Sequence, residues 1–180
     1  MLFLLGAILI IGSISVFLFL TKELDEKSSF YLPIETNGED KEKAKRLTKE
    51  LIGYAKERIY IFSGSINADI HSFNSLKEAR KRGVEVQVIT TKEAIKGLKE
   101  NRMKNKECFD DLKYLKKDLV YDNQHFILVD GKYFRLESLH KEEEAKDSII
   151  DALYIYNNKK ISYNLETKFE EFQQTAKRVV

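Results

Sequence analysis

The sequence is poor in the residue types that carry chemistry on their own. Its 180 residues include one cysteine, one proline, three histidines and no tryptophan. A lone Cys108 excludes an internal disulfide. Three scattered histidines and one cysteine give no metal-ligand spacing, so neither a metal nor another cofactor is expected. The phosphate loop G-x-x-x-x-G-K-[ST], the dinucleotide fingerprint G-x-G-x-x-G and the zinc motif H-E-x-x-H are all missing. No internal repeat is visible, and the length fits a single domain. Neither sign of charge dominates: 31 Lys and Arg stand against 29 Asp and Glu, a formal net charge of +2. That balance does not by itself imply nucleic acid.

The charged residues are missing from one place altogether. Residues 1–20, "MLFLLGAILIIGSISVFLFL", carry no charged side chain. About twenty apolar residues in a helix span a hydrocarbon core of roughly 30 Å. A cleaved signal would want a basic start and a small-residue cleavage site. No Lys or Arg precedes this run, and it ends "VFLFLTK". Residues 1–21 therefore read as a retained, single-pass transmembrane anchor. Lys22 and Lys27 follow it, and the positive-inside rule then favours a cytoplasmic soluble domain. Residues 22–38 hold the only proline, Pro33, and close on the turn signal Asn37-Gly38, so they read as a linker. The domain proper is expected over 39–180.

Charge is uneven within that domain. Residues 91–117 hold nine Lys or Arg and five Asp or Glu, whereas 137–151 hold six acids and two lysines. Both stretches read as solvated surface. The sharper reading of the first is a face toward a polyanion, either nucleic acid or anionic lipid.

Periodicity gives the elements. Ala44, Leu47, Leu51, Tyr54 and Ala55 predict a helix over 39–58, and Phe73, Leu76 and Ala79 a second, stopped by Gly83. "RIYIFS" and "VEVQVIT" predict strands at 58–63 and 84–90. A lysine-rich helical stretch, broken near Asn101 to Asn105, is expected over 91–117, and "LVYD" as a short strand. "HFILVD" and "YFRLES" flank a Gly131-Lys132 turn, a hairpin in which Gly131 supplies the positive φ. "ALYIYN" predicts one more strand. Leu165, Phe169, Phe172, Ala176 and Val179 predict a last helix over 162–178. Helices alternating with strands, plus a hairpin, imply an α/β fold with a mixed β-sheet flanked by helices.

"LIGYAKERIYIFS" followed by "LKEARKRGVEVQVIT" is similar to the opening of a phospholipase D superfamily domain, and the order of elements resembles one half of that fold. The family signature is H-x-K-x-x-x-x-D followed after six residues by G-S-x-N. Anchored on Asp130, the spacing places Ser138 and His140 on the Ser and Asn positions. His125 falls on the Lys position, Asn123 on the His position and Glu137 on the Gly position. The closing "ALYIYNNKKISYNLETKFEEFQQTA" also resembles the family's terminal strand and helix, so the likeness runs over residues 39–178.

The resemblance implies a phosphodiesterase ancestry in which a histidine attacks phosphorus and a lysine and asparagine hold the phosphate oxygens. It also implies a homodimer, since family members with one signature copy pair to complete a site. A carboxamide has no basic nitrogen, so Asn123 cannot be the nucleophile. His125 sits two residues on, about 6–7 Å along a strand, outside the ~3 Å near-attack range. Glu137 would set a negative charge near a phosphate. Asn123, His125, Ser138 and His140 are donors that can bind a phosphodiester. The same groups, with Asp130, can instead satisfy one another. The expected function is a membrane-anchored, degenerate, non-hydrolytic phospholipase D-like domain for phosphodiester or polyanion binding or scaffolding. An active phosphodiesterase with a rearranged site and a structural membrane protein without phosphate ligand are the alternatives.

The apolar span yields a direct test. The full chain should stay with membranes through high salt and alkaline carbonate, while a chain beginning near Ser28 should be soluble. Release of the full chain by salt alone would rule out a spanning anchor.

Overall fold

The computed structural model describes residues 29–34, 38–64, 73–100, 107–121, 124–137, 150–156 and 158–179. The expected membrane span, and Asn123, Ser138 and His140 of the signature-like set, lie outside these residues. No helix among the described residues is long and apolar enough to cross a membrane. In chain order the elements are β1 (Ser29–Ile34), α1 (Gly38–Gly53), β2 (Arg58–Phe62), α2 (Phe73–Lys81), β3 (Glu85–Thr91) and α3 (Lys92–Glu100). After them come β4 (Asp111–Leu115), α4 (Lys117–Tyr121), β5 (Phe126–Val129), β6 (Tyr133–Glu137), β7 (Ile150–Tyr156), α5 (Lys159–Thr175) and β8 (Lys177–Arg178).

The strands form one sheet in the order β1-β7-β6-β5-β2-β3-β4-β8. β2, β3 and β4 run parallel, and every other neighbouring pair is antiparallel. The mixed α/β sheet expected from the sequence is therefore present.

Four local expectations are corrected. Part of the 22–38 linker is strand β1, paired with β7 from Ser29↔Ile155 to Ile34↔Ile150. Proline reads as a strand breaker, but an edge strand has one side without ladder bonds, where Pro33 costs little. Residues 111–115, expected as part of a lysine-rich helix, form β4 between β3 and β8. Pairing on both sides overrides the weak local preference of a charged segment. "LVYD", expected as a strand, lies largely in helix α4, where Val120 is fully buried. A four-residue apolar run cannot distinguish the two periods. The last helix stops at Thr175, and the chain turns back as β8.

Alternation along the strands sorts the core onto two faces. On one face Ile59, Ile61, Val86, Val88, Ile127 and Val129 pack with Leu51, Ile52, Phe73, Leu76 and Ala79 of α1 and α2. On the other, Tyr60, Phe62, Ile89, Phe126, Leu128 and Phe134 pack with Leu165 and Phe169 of α5. Here Phe169 stacks on Tyr60 with centroids 4.4 Å apart, and Phe62 stacks on Phe172 at 4.7 Å. Gly83 ends α2 with φ +88°, its N–H donating to Arg80 O and the Val84 N–H to Ala79 O. The fully buried Tyr154 of β7 donates its hydroxyl to Ala44 O and lies 3.0 Å from Thr48 Oγ1, fixing α1 over the sheet.

Phe169 is fully buried and joins α5 to β2 and β5. Phe169→Ala should cost about 3–5 kcal/mol. In urea denaturation this should lower the midpoint with little change in slope. A loss below about 1 kcal/mol would mean that α5 is not part of the core.

Candidate functional site

The two described members of the signature-like set, His125 and Asp130, bracket β5. Five residues of strand put them about 16 Å apart. They therefore belong to opposite ends of the sheet and to different structures.

Asp130 sits in the β5–β6 turn with φ +52°, next to Gly131 at φ +61°. The Lys132 N–H donates to Val129 O, so Asp130 and Gly131 are the central turn residues, one position earlier than the expected Gly131-Lys132 pair. Aspartate is among the few residues that tolerate this left-handed conformation. Its carboxylate accepts three consecutive backbone N–H groups, from Lys56 at 2.9 Å, Glu57 at 3.0 Å and Arg58 at 2.9 Å. The Asp130 N–H donates in turn to Arg58 O at 3.0 Å. These bonds clamp the hairpin turn to the chain entering β2. A Cβ at Gly131 would lie 3.3 Å from Glu166 Oε2, so α5 also approaches closely here. Glu166 pairs with Arg58, whose guanidinium lies over the Tyr60 ring at 5.4 Å. Burial pushes the Tyr60 phenol up, and Arg58 opposes that shift. All of these contacts fasten elements together.

The other end of β5 carries a polar row. The Glu137 N–H donates to His125 O at 2.9 Å, so the two residues face each other across the hairpin. Extending the β2–β5 and β2–β3 registers by one residue places Ser63 beside His125 and Thr90 beside Ser63. Thr90, Ser63, His125 and Glu137 thus cross four adjacent strands on the α1–α2 face. One row inward, Arg135 lies opposite Ile127 and Tyr154 on that same face.

Partners in this row are specific. His125 is 4% exposed. Its Nε2 accepts the Gly64 N–H at 3.1 Å, so the ring proton resides on Nδ1, 3.5 Å from Glu137 Oε2. The other carboxylate oxygen of Glu137 receives Arg135 Nη2 at 2.5 Å. Arg135 is itself buried, with its guanidinium 5.9 Å above the Tyr154 ring. From Gly64 the chain of bonds continues: Thr91 Oγ1 donates to Gly64 O and accepts the Ala94 N–H, which caps α3. A small recess at this end is lined by Phe62, Ser63, His125, Phe126, Ile127, Arg135 and Glu137.

The chemistry follows from these engagements. A histidine nucleophile needs a lone pair directed at its substrate. The Nε2 lone pair of His125 is directed at a backbone amide, and its Nδ1 faces a carboxylate. Arg135, Gly64, Ser63 and Thr91 were not among the residues singled out from the sequence. The hairpin register could have revealed Arg135, since it is two residues from Glu137 on the same face. Gly64 and Thr91 reach the site through pairing between distant strands. Among the described residues no group of His, Cys, Asp and Glu could hold a metal ion.

A family model described as cardiolipin synthase, PLD-like domain, matches residues 48–173. No curated protein matches the chain at a significant level. Solved structures do. TrmBL2, an archaeal chromatin protein with a novel mode of DNA binding, aligns over 84% of this chain at 17% identity and a TM-score of 0.64. This chain spans 53% of TrmBL2, about half its length. The phospholipase D family member Nuc from Salmonella typhimurium aligns over 76% of this chain and 90% of its own, at 17% identity and a TM-score of 0.55. NucT from Helicobacter pylori covers 85% of this chain and 98% of its own, at 18% identity and a TM-score of 0.55. At these identities the three likenesses speak to the fold.

The Asp130 clamp makes a stability prediction. Asp130→Ala removes a charged acceptor from three N–H groups and puts alanine at a positive φ, and should cost about 2–4 kcal/mol. Asp130→Asn keeps an acceptor and tolerates the turn, so it should lose less. Chemical denaturation of both variants measures this, and equal stability of Asp130→Ala and the parent would refute the clamp.

Proposed function

The chain belongs to the cardiolipin synthase, PLD-like domain family, and from that membership we propose that it is a membrane-anchored, non-hydrolytic member that binds a polyanion. One observation carries the non-hydrolytic reading: both ring nitrogens of the buried His125 are committed, Nε2 to Gly64 and Nδ1 toward Glu137. Asn123, on the family's histidine position, has no basic nitrogen and cannot form a phosphohistidine. The Glu137 carboxylate beside the imidazole also opposes an incoming phosphodiester by like charge.

Polyanion binding then depends on surface charge. Lys92, Lys96 and Lys116 are exposed on the basic 91–117 stretch, while Lys113 pairs with Asp111. Such contacts track a phosphate backbone without reading its sequence. Asn123, Ser138 and His140 are proposed to add hydrogen-bond donors toward the polyanion. The apolar 1–20 segment is proposed to hold this surface at the membrane, with the domain in the cytoplasm and two copies pairing as a homodimer.

The test is a pair of assays on the domain starting near Ser28. It should bind a fluorescent oligonucleotide or anionic vesicles weakly, with affinity falling steeply as salt rises, because counterion release drives such binding. It should release no nitrophenol from bis-p-nitrophenyl phosphate. Binding indifferent to salt would remove the polyanion reading. Turnover abolished by His125→Ala would show His125 to be a working nucleophile.

A further inference from the structure

The recess at the end of β5 contains a buried cation, Arg135, that the functional reading does not use. Arg135 is buried in the middle of the sheet face, and a guanidinium there needs an anion. The anion present is internal. Glu137, two residues along the same strand, places Oε1 2.5 Å from Arg135 Nη2 and Oε2 3.5 Å from His125 Nδ1. Its own side chain is only 14% exposed. One carboxylate thus bridges an arginine and an imidazole N–H, and Ser63 lines the same recess. A planar cation and a ring N–H converging on two oxygens of one group is also the way a phosphate oxyanion is held.

We propose that Glu137 is the resident anion of a closed phosphate site, its carboxylate occupying the ground between Arg135 and His125 that a phosphate group would otherwise take. The family places glycine at the position of Glu137, so an acidic side chain fills space that a glycine would leave open. The ligand class is a phosphate oxyanion, whether free or part of a diester. The wild-type domain excludes it from the recess by both charge and volume. This inference rests on the family membership and on the recess, not on polyanion binding by the exposed lysines, so either can fail alone.

The experiment removes the resident anion. Glu137→Ala withdraws the carboxylate and opens its volume, leaving Arg135 without that counter-charge. This variant should melt below the parent and regain stability as inorganic phosphate is added, with sodium chloride at matched ionic strength giving no such gain. The parent should be indifferent to phosphate. Glu137→Gln loses the charge but keeps the volume, so it should be rescued much less than Glu137→Ala. Where Glu137→Ala does not fold in phosphate-free buffer, the refolded yield against phosphate concentration gives the same reading. Glycerophosphoglycerol and a thymidine dinucleotide, used in place of inorganic phosphate, distinguish a lipid-type from a nucleic-acid-type diester. Phosphate rescue that disappears in the Arg135→Gln, Glu137→Ala double variant supports the site. Absence of phosphate rescue in Glu137→Ala, by melting and by refolding, overturns the proposal, as does rescue that survives loss of Arg135.

Discussion

Three backbone amides converge on one carboxylate, and the geometry of the hairpin depends on that contact. Asp130 accepts the N–H groups of Lys56, Glu57 and Arg58 and returns its own N–H to Arg58 O. The turn between β5 and β6 is thereby tied to the start of β2. A strand has a side-chain period of two, so a slip of one residue would send every side chain of β5 to the opposite face. With the clamp in place, Ile127 and Val129 meet α1 and α2, and Phe126 and Leu128 meet α5. The same register brings His125 between Ser63 and Glu137 at the far end. A structural aspartate thus fixes the position of a polar row about 16 Å away.

The polar row is held by compensation of charge. Arg135 and Glu137 neutralise each other in a site with little solvent, and His125 is fixed from both sides by Gly64 and Glu137. Breaking one member of such a buried set exposes the others to an uncompensated environment. The row is connected to α3 through Gly64 and Thr91, so the helix that opens the basic stretch is anchored to the same bonds.

Much of this was visible in the residues. The helices at α1, α2 and α5 followed from apolar spacing, and β2, β3, β5, β6 and β7 from short β-branched and aromatic runs. The errors fell where local pattern is weak. β1 carries a proline, β4 sets Asp111 and Lys113 among its apolar residues, and in α4 Asp118 and Leu119 are exposed while Val120 is buried. Each takes its state from its neighbours: β1 from β7, β4 from β3 and β8. In the site, spacing alone named His125 and Asp130 together, because a linear motif records sequence distance. It could not reveal that they serve opposite ends of one strand.

What the sequence determined by itself is the set of elements with strong periodicity and the mixed α/β class. These depend on residue type and spacing, which are local properties. What only the tertiary structure decided is the partner of each polar group. Gly64 meets His125 across 61 positions, and Asp130 meets Lys56 across 74, because the sheet sets β2 beside β5. Glu137 became the counter-ion of the buried Arg135 through the hairpin register that places it against His125. Its charge was legible in the chain, but its contacts with Arg135 and His125 exist only once the strands are paired.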